Sequence, residues 1–240
     1  MIGDVKNVLN HTRRYNMQFR HEHKHYINYL DYLILRSKLR AVMQPDINTN
    51  EDGEYHIRSL YFDNYRDVAL QDKISGINHR EKFRIRCYNK DFTFINLEKK
   101  SKINGLCAKI KAEITKPQVE AILARDTKWM ATSTEPLVVE LYSKMKSGQL
   151  QPKTIVDYNR EAFVYRPGNV RVTIDRDIRT GLFNTELFNP DLPTIVTGDQ
   201  QMLLEVKYDN FIPEVIANLI QLDGRRQTAF SKYAASRIYS

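Results

Sequence analysis

Residues 80–102, REKFRIRCYNKDFTFINLEKKSK, constrain the fold more than any other stretch of the chain. The segment 80–87 alternates between charged and apolar side chains. In a strand, successive side chains point to opposite faces, so Lys82, Arg84 and Arg86 share one face and Phe83, Ile85 and Cys87 the other. Asn89-Lys90-Asp91 reads as a hairpin turn. The return strand sets Glu98, Lys100 and Lys102 opposite Ile95 and Leu97. A face so dense in cations is explained either by solvent, since antiparallel sheets often keep one wet face, or by a polyanion held against it.

The rest of the chain repeats the pattern. Strands are expected over residues 19–26, 55–63, 106–114, 153–165, 170–178 and 201–209, with a short one at 181–187 and a loop at 189–193. Helices are expected over 28–43 (Leu30, Leu33, Ile34 and Leu39 at helical spacing), 67–74, 117–126, 136–146, 214–222 and 230–238. Residues 1–17 read as a flexible arm, and 18–240 as a single domain.

Nearly every strand carries ionisable groups on one face: Glu22/Lys24, Arg84/Arg86, Glu98/Lys100, Lys109/Lys111, Arg160, Arg171/Asp175 and Glu205/Lys207. Solvent-facing stripes would interleave these with Ser, Thr and Gln. A predominantly basic set with occasional carboxylates is better explained by an α+β fold. In it, about eight antiparallel strands form a barrel with charge inside and helices packed outside. Repulsion in such an interior costs several kcal/mol unless an anion and a metal occupy it.

The net charge of +8 favours an anionic partner. Nucleic acid accounts for the cations but not for the regular carboxylates, and no stacking-aromatic motif supports it. Cys87 and Cys107 form no disulfide framework and read as buried small apolar residues. With no signal-peptide core and no apolar run long enough to span a membrane, the expectation is a cytoplasmic protein. Alternation places His21, His23 and His25 together, a possible zinc face, but opposite Glu22 and Lys24. Asp175 and Asp177 share a face in the same reading, where Arg176 and Arg179 make a salt-bridge network the simpler explanation.

Taken in order, Glu22-x-Lys24, Lys82-x-Arg84-x-Arg86, Leu97-Glu98-x-Lys100, Tyr158-x-Arg160, Arg171, Leu204-Glu205-Val206-Lys207 and Ser231-Lys232-Tyr233 resemble the VTC domain. This is the catalytic domain of polyphosphate polymerases within the triphosphate tunnel metalloenzyme (CYTH-like) superfamily. The resemblance runs from about Phe19 to Ser236 and includes Tyr61-Phe62-Asp63. It implies an eight-stranded antiparallel tunnel that grips a triphosphate, with Mn2+ or Mg2+ on a carboxylate and transfer of the ATP γ-phosphate to polyphosphate. The catalytic set it implies is Lys24, Arg84, Arg86, Arg160 and Lys232. The substrate-binding set is Lys82, Lys100, Lys109, Lys111, Tyr158, Arg171, Lys207 and Ser231, and the metal set is Glu205, Glu22 and Glu98.

The hydrolase and cyclase branch carries Glu-x-Glu-x-Lys on the first strand, where this chain has Arg20-x-Glu22-x-Lys24. That departure favours the polymerase branch. An inorganic or nucleoside triphosphatase, or a non-catalytic polyphosphate- or nucleotide-binding module, are the alternatives. The regulatory SPX domain and membrane spans of the eukaryotic complex are missing, so coupling to export would need a separate membrane protein partner.

Overall fold

The computed structural model describes residues 18–198, 202–221 and 227–238; the expected N-terminal arm, Gln201 and Leu222 lie outside these. Ten strands form one antiparallel sheet. They are β1 (His21–Ile27), β2 (Gln44–Pro45), β3 (Glu54–Asp63), β4 (Arg80–Tyr88), β5 (Asp91–Ile103), β6 (Leu106–Ile114), β7 (Gln151–Tyr165), β8 (Val170–Thr180), β9 (Ile195–Val196) and β10 (Met202–Tyr208). Six helices surround it: α1 (Tyr29–Val42), α2 (Val68–Ile74), α3 (Lys116–Leu123), α4 (Pro136–Ser147), α5 (Glu214–Ile220) and α6 (Lys232–Ser236).

The strand order is β1-β10-β8-β7-β3-β4-β5-β6, with β2 paired to β7 and β9 to β8. The sheet curls until its edges touch at one residue pair. There Arg20 and Cys107 exchange backbone hydrogen bonds of 2.9 and 3.1 Å. No continuous ladder joins β1 to β6, so a closed eight-stranded barrel is a looser description than a curled sheet.

Alternation puts the apolar residues of the strands outside, under helices. Phe83, Ile85, Ile95 and Leu97 pack with Val119, Ile122, Leu137, Val138 and Leu141 of α3 and α4. Phe163, Val172, Ile174, Leu204 and Val206 pack with Leu35 and Leu39 of α1 and Ile216 of α5. Each buried Leu or Ile contributes roughly 1.5–3 kcal/mol, which offsets the placement of the cationic stripes inside. The β5–β6 hairpin turns at Asn104-Gly105, both at positive φ (48° and 86°), as a tight two-residue turn requires.

Several expectations are corrected. Residues 181–187 form turns, not a strand, while the two-residue β2 and β9 are too short for periodicity to reveal. Helix α1 is capped reciprocally by Asn28 and Asp31, but it buries Tyr32, Leu35 and Leu39. Leu30, Leu33 and Ile34 face outward, because Tyr32 and Arg36 anchor the helix on the buried carboxylate of Glu161. Asp175 and Asp177 do not share a face. A bulge opposite Asp157 and Asn159 gives Asp177 a φ of 52° and leaves it exposed beside Asn159, while Asp175 is wholly buried. Cys87 is buried as expected; Cys107 is only half-buried, at the edge contact.

Candidate active site

The curled sheet encloses a cavity of about 1100 Å³ lined by fifteen Lys and Arg side chains and four carboxylates. Three carboxylate-centred clusters organise most of these cations. The first follows from the β4–β5 register, which sets Arg84 opposite Glu98 and Lys82 opposite Lys100. Arg84 grips Glu98 Oε2 through Nε at 2.7 Å and Nη2 at 2.6 Å, and Lys109 reaches Oε1 at 3.1 Å. Arg86 stands 3.7 Å from the same carboxylate and donates to the hydroxyls of Ser59 (3.0 Å) and Tyr158 (2.9 Å). Burial alone would raise the Glu98 pKa, but Arg84, Arg86 and Lys109 hold it well below the usual carboxylate range.

The second cluster lies on β1 and β10, where Lys24 pairs in register with Glu205 and Glu22 with Lys207. Lys24 Nζ is 3.0 Å from Glu22 and 3.3 Å from Glu205. Lys207 is 2.5 Å from Glu205 and 3.8 Å from Glu22, and Lys100 adds a 2.6 Å contact to Glu22 from across the edge contact. Burial disfavours the charge on Lys24, yet Glu205 and Glu22 raise its pKa overall. Burial and the neighbouring Glu205 act to raise Glu22, and the three lysines together bring it down instead.

The third cluster joins β7, β8 and α6. Arg160 forks onto Asp175 at 2.5 and 2.7 Å, and Lys232 donates to the same carboxylate. Lys232 also sits 4.6 Å from the centre of the Tyr158 ring. Ser231 caps α6 by accepting from the Ala234 amide, and its hydroxyl receives Lys82 at 2.8 Å. Burial first, then Lys24, Lys100, Lys73 and Arg80, push Lys82 down to about 7.

The structure therefore gathers every site residue named from the sequence around one cavity. Glu22 and Glu205 converge on the same two lysines; Glu98 is surrounded by cations of its own and does not join them. Arg171 is turned onto Asp46 and Tyr55 at one end, and Lys111 lies exposed on the rim. His21 and His23 stack on Tyr208, on the face of β1 opposite Glu22 and Lys24. Asp175 was assigned no site role from sequence, because Arg176 and Arg179 beside it and Asp177 made a salt-bridge network the simpler explanation. Tyr61, which accepts from Arg84 at 3.1 Å and stacks on Tyr233, carried a signal only as part of Tyr61-Phe62-Asp63.

The donor chemistry of Glu22 and Glu205 fits a hard divalent cation. Mg2+ and Mn2+ take oxygen ligands and are commonly held by one or two carboxylates plus substrate phosphates. Among the described residues no group of three His, Cys, Asp or Glu side chains is placed to hold a metal alone.

Comparison with solved structures gives the fold first. A putative adenylyl cyclase from Hippeastrum, described as having a dominant triphosphatase activity, is 13% identical, with 92% of this chain and 95% of that one covered and a TM-score of 0.56. A putative adenylate cyclase from Bacillus halodurans, also 13% identical, covers 80% and 81% with a TM-score of 0.50. At this identity the likeness is one of fold. The particular family follows from the sequence: residues 19–239 match the VTC domain, and the chain belongs to that family. Comparison with curated protein sequences finds no match.

Proposed function

We propose that this protein is a metal-dependent phosphotransferase that moves the γ-phosphoryl group of ATP onto a growing polyphosphate chain. The observation that carries this reading is the cation surplus of the cavity: fifteen Lys and Arg side chains line it with four carboxylates. Even with Asp175, Asp46 and Asp209, which pair with Arg160, Lys232, Arg171 and Arg20 from behind the lining, cations outnumber carboxylates about two to one. A terminal phosphate carries about −1.5 to −2 charge near pH 7, so one triphosphate leaves much of that surplus unneutralised. A second polyanion, the acceptor, accounts for the remainder.

Phosphoryl transfer needs in-line positioning and neutralisation of the equatorial oxygens, with little covalent work from the protein. Arg84, Arg86 and Arg160 would supply forked donors, each already oriented by a buried carboxylate or hydroxyl. Lys232, fixed by Asp175, would supply a compact charge toward the phosphoryl group in transit, and Lys82, resting on Ser231, one toward the substrate phosphates beside it. Glu22 and Glu205 would hold Mn2+ or Mg2+, whose chemistry when bound is to draw charge off the phosphoryl oxygens. The P–O bond to the ADP leaving group breaks as one forms to a terminal oxygen of the acceptor. That oxygen is already anionic and needs no general base, in keeping with a site where Glu22, Glu98 and Glu205 are all occupied by cations.

The test incubates the protein with Mn2+ and γ-labelled ATP and follows long polyphosphate on a gel alongside free phosphate. Glu205→Ala and Arg84→Ala serve as controls. Polymer that disappears in both variants is the expected result. Free phosphate without polymer would make water the acceptor and the protein a triphosphatase. Neither product, with triphosphate still raising the melting temperature, would leave a binding module.

A further inference from the structure

The cations of the cavity divide by partner. Arg84, Arg86 and Lys109 face Glu98; Lys24, Lys100 and Lys207 share Glu22 and Glu205; Arg160 and Lys232 share Asp175. Lys73, Arg80, Lys82 and Lys102 line the same cavity. Yet among the described residues none of these four has a carboxylate at ion-pair distance. Arg80 donates to the Ile77 carbonyl and Lys82 to Ser231, both neutral acceptors.

The four stand together. Arg80 and Lys102 are directly opposed on β4 and β5, Lys82 is in the adjoining row, and Lys73 projects from α2. Repulsion bears on two of them: burial first, then Arg80, Lys24 and Lys102, disfavour the charge on Lys73, and burial first, then Lys24, Lys100, Lys73 and Arg80, that on Lys82. Lys111, also without a carboxylate at ion-pair distance among the described residues, stands in register with Glu98, two same-face rows from Arg80 and Lys102. Half-buried like charges without counter-ions destabilise the free protein, and a bound anion would relieve them.

We infer that Lys73, Arg80, Lys82 and Lys102 form a second anion subsite at the β4–β5 mouth of the cavity. It takes phosphate units of a linear chain beyond those held against the carboxylate-paired cations. The inference rests on the proposed function and adds a chain-length preference to it.

The test is titration calorimetry with tripolyphosphate and with a long polyphosphate of defined length, on the wild type and on Lys73→Ala/Lys102→Ala. The wild type is expected to bind the long chain about tenfold more tightly, equivalent to about 1.4 kcal/mol. The double variant should lose that gain while its tripolyphosphate affinity stays within about twofold. It should also melt at a higher temperature than the wild type without phosphate, because repulsion has been removed. Lys38→Ala/Lys128→Ala, which removes two exposed lysines outside the cavity lining, should leave both affinities unchanged. Equal weakening of both ligands in the double variant would overturn the inference by merging the four residues with the triphosphate site. An undiminished long-chain preference would overturn it too. A wild type that binds neither ligand would overturn the proposed function and this subsite with it.

Discussion

Glu22 and Glu205 are tied to each other through one ammonium group: Lys24 Nζ lies 3.0 Å from the first and 3.3 Å from the second. Two carboxylates this buried would repel strongly without a cation between them. Lys24→Met should therefore lower the melting temperature in a chelating buffer, and Mn2+ should restore more stability to the variant than it adds to the wild type. Equal Mn2+ shifts in both proteins, read by thermal melts with and without EDTA, would remove these carboxylates from the metal site.

Asp175 is wholly buried and carries both Arg160 and Lys232. Asp175→Asn should destabilise the protein by about 3–5 kcal/mol in urea unfolding, the usual consequence of stranding buried charge. Adding Lys232→Met should recover part of that loss. A single variant as stable as the wild type would mean that solvent reaches both cations.

Lys82 titrates near 7 in the free protein, against an ordinary lysine value of 10.5. A phosphate chain beside it would raise that value again, so binding at pH 8 should take up protons and binding at pH 6 should not. Calorimetry in buffers of different ionisation enthalpy measures this directly. The folding linkage has the same origin: between about 7 and 10.5 the unfolded chain binds more protons at this site than the folded one. Lys82 therefore makes stability rise with pH across that window. Lys82→Met should flatten that slope; an unchanged slope would assign it to another group.

Tyr233, almost fully buried, donates to Asp63 at 2.7 Å, and Asp63 in turn accepts the amides of Ala69 and Leu70 at the start of α2. Tyr233→Phe should cost about 1–3 kcal/mol by leaving a buried carboxylate short of a donor. Because α6 carries Lys232, the same variant should also weaken tripolyphosphate binding. A loss of stability with unchanged affinity would separate helix docking from the site.

The alternation that exposes one face of each strand made the cavity legible, since Lys82, Arg84 and Arg86 cannot point anywhere but together. It became misleading where the strand is irregular. One extra residue at Asp177 breaks the parity of β8, so a rule based on a period of two assigned Asp175 the wrong neighbour. Helix α1 failed for another reason. Its apolar spacing is real, but Glu161 draws the Tyr32 and Arg36 side inward, and no local pattern reports a buried ion 125 residues away. The cation partners were equally invisible, because Lys100 meets Glu22 only when the two edges of the sheet come round to each other.

That meeting of edges gives the molecule the topology of a split ring. Two backbone hydrogen bonds between Arg20 and Cys107 are its clasp, reinforced by the Lys100–Glu22 ion pair. In a seamless hoop, a polymer can enter or leave only by one of its ends. In a clasped one, parting the clasp frees the polymer sideways from any point along its length. On the proposed polymerase reading, how many units are added before release would then depend on the lifetime of the clasp as well as on the grip of the lysines. Hydrogen exchange at the Arg20 and Cys107 amides, with and without bound polyphosphate, would time it.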